Sequence, residues 1–134
     1  RSIKANDGKA HAVSGALDTI MAGLACGEPS SISWPVLRDY ATAALSCPDY
    51  IAANGMRILA APGGNDLPVV SGESGALPCG ALEYLMRADG ARSMRQALGL
   101  GGDSAVLLIS TEGDTDPDMY KRIIWQGHYP ETGD

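Results

Sequence analysis

Phenylalanine is absent from this chain, and aromatic residues of any kind make up only 5% of its 134 residues. Basic side chains are also scarce: 10 Lys and Arg stand against 16 Asp and Glu, a formal net charge of -6. That balance speaks against a nucleic-acid backbone as partner, because phosphate binding needs a basic patch. No stretch has the long uninterrupted apolar run that a membrane span requires, so a membrane partner is not expected either. No signal-peptide pattern opens the sequence. The three cysteines, Cys26, Cys47 and Cys79, are odd in number and widely spaced. Without a CxxC pair they indicate neither a zinc site nor a dithiol redox centre, and they suit a reducing, cytoplasmic setting with free thiols.

Glycine, by contrast, is plentiful at 17 residues, and 45% of the chain is hydrophobic. The glycines cluster where elements should end, which suits a compact α/β protein better than a disordered chain. The length is that of one domain with material for a core, and no internal repeat or domain boundary is evident. Residues 1–15 are polar around the turn signal Asn6-Asp7-Gly8 and read as a flexible N-terminal segment. Residues 19–25 are small and apolar and read as a short strand or close-packed turn. A helix is predicted from about Pro35, with Val36, Leu37, Tyr40, Ala41, Ala44 and Leu45 on one face. A second follows Cys47-Pro48-Asp49, its stripe formed by Ile51, Ala52, Gly55, Met56, Ile58 and Leu59. Gly55 inside that stripe implies a close packing contact, since Gly in a helix costs about 1 kcal/mol against Ala. Leu67 to Ser71 reads as a strand and Ala76 to Ala88 as a helix with Ala81, Leu82, Leu85 and Met86 inward. Ser93 to Leu98 is a shorter helix stopped by Gly99, Ala105 to Ile109 a second strand, and Asp118 to Trp125 a last helix. This order predicts an α/β layer architecture with a parallel pair of strands.

Both predicted strands end in polar groups. One apolar run, Val106-Leu107-Leu108-Ile109, gives way to Ser110-Thr111-Glu112-Gly113-Asp114-Thr115-Asp116-Pro117. The other passes from Val69-Val70 into Ser71-Gly72-Glu73-Ser74-Gly75-Ala76. Buried parallel strands deliver ligand-facing groups at their C-terminal ends in this way. Three specific motifs can be weighed there. Gly99-Leu100-Gly101-Gly102 precedes a strand and Ser104 breaks the GxGxxG spacing, so it reads as a helix stop. The alternating acids from Asp114 resemble a calcium loop, but Met119 and Trp125 occupy the positions where Gly and a bidentate acid belong, so no metal is expected. These acids read instead as a cap for the last helix. Gly72-Glu73-Ser74-Gly75-Ala76 has the strand–turn–helix setting of a nucleophile elbow, and Asp114 or Asp116 with His128 would complete a Ser–Asp–His order. The same turn equally suits close approach of backbone to a flat ligand with Glu73 beside it, or a plain helix cap at Ser74.

Taken together, residues 19–29 (Thr19-Ile20-Met21-Ala22-Gly23-Leu24-Ala25-Cys26-Gly27-Glu28-Pro29), Ser71-Gly72-Glu73-Ser74-Gly75-Ala76 and the run from Ser110 to Pro117 resemble diaminopropionate ammonia-lyase. That family belongs to the tryptophan-synthase-β-like, fold type II pyridoxal-phosphate enzymes. The resemblance spans about Thr19 to Gly127. It implies a three-layer αβα fold with a mainly parallel short sheet, residues 16–134 being the C-terminal part of the cofactor domain. It implies α,β-elimination of ammonia from 2,3-diaminopropionate: a base takes the α-proton, the β-amino group leaves, and the product hydrolyses to pyruvate and a second ammonia. It further implies pyridoxal 5'-phosphate as cofactor, an amino acid substrate and a homodimer.

By the same resemblance Ser110 matches the hydroxyl that meets the pyridine nitrogen, with Thr111 the nearest alternative. Gly72 and Glu73 match the turn that flanks the ring. The family's Schiff-base lysine lies in a Ser-x-Lys-type segment, and Lys4, Lys9 and Lys121 have no such context. No catalytic residue is therefore assigned in this chain. It reads as a partial polypeptide that needs the remaining N-terminal part of the enzyme. The alternatives left open are a small serine hydrolase using Ser74 and a non-enzymatic ligand-binding domain on the same scaffold.

Overall fold

The computed structural model describes residues 1–131, so the last three positions of the expected 16–134 region lie outside the described residues. The chain divides into two compact units, Arg1–Ser46 and Cys47–Asp134.

Within the first unit, α1 (Ser2–Ala5) is a single turn closed by Asn6 in the left-handed region at φ 52°. Asparagine tolerates that conformation better than most residues. The Ser2 hydroxyl accepts the His11 backbone N–H at 2.8 Å, and the His11 ring contacts Asp7 at 2.9 Å. Residues Ala22–Leu24 form a 3₁₀ turn in the segment read as a strand or close-packed turn. The helix expected near Pro35 is α2 (Ser33–Tyr40), and Pro35 lies in its first turn. It stops before Ala44 and Leu45, and its apolar face is open: Val36, Leu37 and Tyr40 are all exposed. Trp34 Nε1 donates to the Gly8 carbonyl at 3.1 Å, tying the helix to the turn between Asn6 and Lys9.

The second unit is built on two helices, α3 (Asp49–Ala60) and α4 (Glu73–Arg87). Ile51, Ala52, Ala53 and Met56 of α3 are buried against Ala76 and Leu85 of α4, and Ala91 and Ile123 complete this core. The predicted stripe is correct at Ile51, Ala52, Gly55 and Met56, while Ile58 and Leu59 are half-buried. The inward face of α4 is set differently from the expectation. Ala76, Gly80 and Leu85 are buried, Ala81 and Leu82 are half-buried, and Met86 is exposed. The reason is the tightness of the helix crossing, which selects the smallest residues of α4 for contact. A Cβ built on Gly55 would lie 2.2 Å from the Ala76 carbonyl oxygen, and one on Gly80 only 1.9 Å from that of Ile51. The two backbones touch, so neither position has room for a side chain.

The remaining helices are held by side chains reaching backbone carbonyls. The short α5 (Arg92–Ala97) sends Arg95 back to the carbonyls of Leu85 and Met86, at 3.2 and 2.6 Å. These are orphan acceptors at the end of α4, and a cation is well placed there. Gly99 follows α5 at φ 66°, the left-handed stop expected from the sequence. The last helix, α6 (Pro117–Gln126), starts with Pro117 in its first turn and an Asp116 carboxylate that accepts the Met119 N–H at 3.0 Å. The acids around position 116 thus cap a helix, as expected. Gly127, at φ 72°, ends it. Arg57 of α3 donates to the carbonyls of Ile123 and His128 and so clamps the far end of α6.

The sheet is where expectation and structure part. No strand occurs among the described residues, and the segments 67–71 and 105–109 carry no ladder. The Val69 N–H donates to the Leu59 carbonyl of α3 rather than to a strand. The physical reason lies in the side chains. A parallel strand needs neighbours on its edges and layers on both faces, yet Leu67 is 85% exposed, Leu107 86% and Ile109 69%. The apolar runs have the composition of buried strands, and among the described residues no strand pairs with them and much of their apolar surface stays uncovered.

Candidate functional site

The two runs converge at their C-terminal ends. Ser71 Oγ and Ser110 Oγ stand 2.8 Å apart, a hydrogen bond between hydroxyls from segments 39 residues apart in sequence. Ser71 is 1% exposed, whereas Ser110 is open to solvent. The pair therefore has a buried anchor and an accessible member. Its orientation follows from alternation in an extended chain, where residues two apart share a side. Ser110 and Glu112 both face the 71–75 turn, and Thr111 between them is exposed.

Glu112 binds that turn twice. Its Oε2 accepts the Ser74 N–H at 2.8 Å and the Gly75 N–H at 3.1 Å, the first free amides of α4. Its own carbonyl accepts the Gly72 N–H at 3.1 Å. A carboxylate on free amides at a helix N-terminus is stabilised by both the hydrogen bonds and the helix dipole. The glycines make this approach possible. A Cβ on Gly72 would sit 2.4 Å from the Gly113 carbonyl oxygen, and a Cβ on Gly75 would sit 2.7 Å from both serine hydroxyls.

Glu73 is the buried acid of the site, 7% exposed. Burial, and then the nearby charges of Glu112 and Asp116, push its carboxyl above the ordinary range, against the smaller lowering effect of its own backbone amide. The sign of the linkage follows. With the folded value raised, the stability due to Glu73 is complete below the unfolded carboxyl value and is lost as pH rises through the folded one. Glu73→Gln should therefore raise the melting temperature by a few degrees at about pH 7 and lose that advantage near about pH 4. A gain of equal size at both pH values would count against a Glu73 carboxyl raised by burial.

The structure brings together Gly72, Glu73 and Ser110 of the expected residues with Gly75 of the expected turn, and adds Ser71 and Glu112, for which the sequence suggested no role of their own. The signal that could have found Glu112 is its spacing of two from Ser110. The alternative triad is not assembled. The Ser74 hydroxyl is buried without a hydrogen-bond partner, Asp116 is occupied as a helix cap, and the His128 backbone is held at the end of α6 by Arg122 and Arg57. No group of three metal-ligating side chains gathers among the described residues, and no helix there is long and apolar enough to cross a membrane.

No family model matches the chain. Individual proteins do. Diaminopropionate ammonia-lyase of Salmonella typhimurium (strain LT2) is 52% identical over 123 residues, covering 91% of this chain and 30% of that enzyme. The Escherichia coli K12 enzyme of the same name is 48% identical over 117 residues, covering 87% and 29% respectively. Among solved structures, the E. coli enzyme in complex with an aminoacrylate–PLP azomethine reaction intermediate superposes with a TM-score of 0.79 at 49% identity, over 83% of this chain and 29% of that one. The same enzyme in complex with D-serine gives a TM-score of 0.78 at 47% identity. The chain thus spans about three-tenths of the length of the curated relatives it matches, and the match supports an α/β fold. By sequence and by fold, the chain is a homologue of the diaminopropionate ammonia-lyases, corresponding to one segment of the enzyme.

Proposed function

We propose that this chain forms one wall of the active site of a pyridoxal-phosphate-dependent lyase that converts 2,3-diaminopropionate to pyruvate and ammonia. The observation that carries the reading is the Ser71–Ser110 hydroxyl pair at 2.8 Å, in a chain half of whose residues are identical to those of such enzymes. In this reading residues 16–134 belong to the C-terminal part of a three-layer, fold type II cofactor domain, with residues 1–15 outside it. The rest of the same polypeptide supplies the missing strands and the Schiff-base lysine, in a cytoplasmic homodimer.

The residues fit the cofactor. A pyridine nitrogen needs one directional partner, and Ser110 offers an accessible hydroxyl whose position is fixed by a buried one. Gly72 and Gly75 serve the hydroxyl pair, since the space a Cβ would fill there is taken by Gly113, Glu112 and the two serine hydroxyls. Bound pyridoxal phosphate supplies the electron sink for loss of the α-proton and the β-amino group. The contribution of this chain is orientation and electrostatic tuning. The Ser110 hydroxyl can hydrogen-bond the ring nitrogen but cannot hold it protonated as a carboxylate would, and this moderates the sink to what a β-leaving group requires. Thr111 is the neighbouring alternative for that bond. Glu73 lies in the turn that flanks the ring, its carboxyl pushed above the ordinary range chiefly by burial.

The test is pyruvate formation. A full-length polypeptide carrying this segment and loaded with pyridoxal phosphate should release pyruvate from 2,3-diaminopropionate, while the 134-residue chain alone should release none. Pyruvate from the isolated chain, or none from the loaded full-length protein, overturns the proposal.

A further inference from the structure

Glu112 stands out because, among the described residues, its hydrogen bonds end on the 71–75 turn or on the Ser110 hydroxyl. Its carboxylate takes two amides of α4, its carbonyl takes the Gly72 amide, and the same carbonyl lies 3.5 Å from the Ser110 hydroxyl. Among the described residues, the other hydrogen bond of Ser110, two residues earlier, is to Ser71. The segment 105–109, which leads into Ser110, is exposed and without a ladder. The height of Ser110 over the turn is thus set by its junction at Glu112 and by Ser71. Gly75 sharpens the requirement. With both hydroxyls 2.7 Å from where its Cβ would be, the pair rests directly on backbone, and a small shift of the 110–112 segment separates it from Ser71 or drives it into the turn.

We infer that Glu112 is a positioning residue for the cofactor: by docking its carboxylate on the Ser74 and Gly75 amides it holds the Ser110 hydroxyl at the pyridine nitrogen. This rests on the proposed role of Ser110. A carboxylate suits the task better than a neutral group, because it complements the positive end of α4 and its single oxygen can take both amides. The length of the side chain matters as much as its charge. Aspartate, one methylene shorter, keeps the charge but cannot reach both amides without pulling residue 112, and Ser110 with it, toward the turn.

The experiment uses the full-length enzyme and pyridoxal phosphate, with Glu112→Ala, Glu112→Asp, Glu112→Gln and Ser110→Ala. Cofactor affinity and the visible absorption of the bound cofactor are measured, together with the melting temperature of the apoprotein. Glu112→Ala and Glu112→Asp should weaken cofactor binding about tenfold, the equivalent of one charge-assisted hydrogen bond, and displace the absorption maximum in the same direction as Ser110→Ala. Glu112→Gln, which keeps an oxygen acceptor of the same reach but not the charge, should restore part of both. The Ser110→Ala/Glu112→Ala double variant should be little worse than Ser110→Ala alone, because the two act through one contact. If Ser110→Ala moves the spectrum and Glu112→Asp and Glu112→Gln leave both spectrum and affinity unchanged, the inference fails while the reading of Ser110 stands. A loss confined to apoprotein melting, with normal cofactor spectra in every Glu112 variant, also overturns it. If Ser110→Ala itself leaves spectrum and affinity unaltered, the proposed role of Ser110 is what fails, and the inference falls with it.

Discussion

Gly80→Ala should lower the melting temperature of the folded chain by about 15 °C, the largest effect of any single methyl group added to this molecule. The new Cβ would lie 1.9 Å from the Ile51 carbonyl oxygen and 3.0 Å from the Gly55 nitrogen. Both are backbone atoms of α3, so no rotamer change relieves the overlap. The helices must separate, and Ile51, Ala52, Ala53, Met56 and Ala76, all buried at this crossing, lose contact together. A cost of about 3 kcal/mol is at the upper end for overpacking a core and is appropriate where the obstacle is main chain. Gly55→Ala should behave similarly, its Cβ meeting the Ala76 carbonyl at 2.2 Å. Gly90→Ala is the control: nothing lies within 4 Å of that position, and its effect should stay within about 0.5 kcal/mol. Thermal melts of the three variants decide the matter. Equal melting temperatures for Gly80→Ala and Gly90→Ala would show that the helices do not cross in backbone contact.

Leu107→Lys should have opposite outcomes in two settings. In the 134-residue chain Leu107 is 86% exposed, so lysine there should change stability by no more than about 0.5 kcal/mol. It should also reduce self-association, because charge on an unpaired apolar edge discourages pairing with other chains. In the full-length enzyme the same residue belongs, on the proposed reading, to a strand covered on both faces. Lysine there should cost about 3 kcal/mol or more, since an unpartnered charge would be taken out of water. Melting and sedimentation of both proteins, with and without the substitution, provide the comparison. An equally small effect in the full-length protein would remove the sheet from the proposed architecture.

These two results also mark how much could be read in advance. The helices were legible because their signals are local. Pro48-Asp49 starts α3, Asp116-Pro117 starts α6, and Gly99 and Gly127 end helices at positive φ. The close contact at Gly55 was legible too, because glycine in a buried stripe has a cost that only proximity explains. Its partner Gly80 was not, since one sequence does not say which small residue of α4 meets it. The strands were read from composition, and none is formed among the described residues. Val69-Val70 and Val106-Leu107-Leu108-Ile109 are written for neighbours that these residues do not supply. At the candidate site, Gly72, Glu73 and Ser110 were singled out through a run of polar residues after an apolar one. Glu112 and Ser71 were passed over because their importance is relational. It lies in amides and a hydroxyl contributed by a segment about forty residues away; alternation puts Glu112 on the side of Ser110 but does not name what it meets.

The crossing of α3 and α4 also bears on the order in which the site comes into being. The contacts at Gly55 and Gly80 join positions only roughly two dozen residues apart, and such local closures form early because little chain entropy is lost in making them. A preformed helical hairpin would then present Ser71 and the free amides of α4 on a fixed platform. The 105–112 segment arrives across a longer loop and must find that platform before Glu112 can seat. On this order the hairpin should act as the nucleus and the seating of Glu112 as the late step. Substitutions at Gly80 should therefore slow folding, whereas those at Glu112 should mainly speed the opening of the finished site.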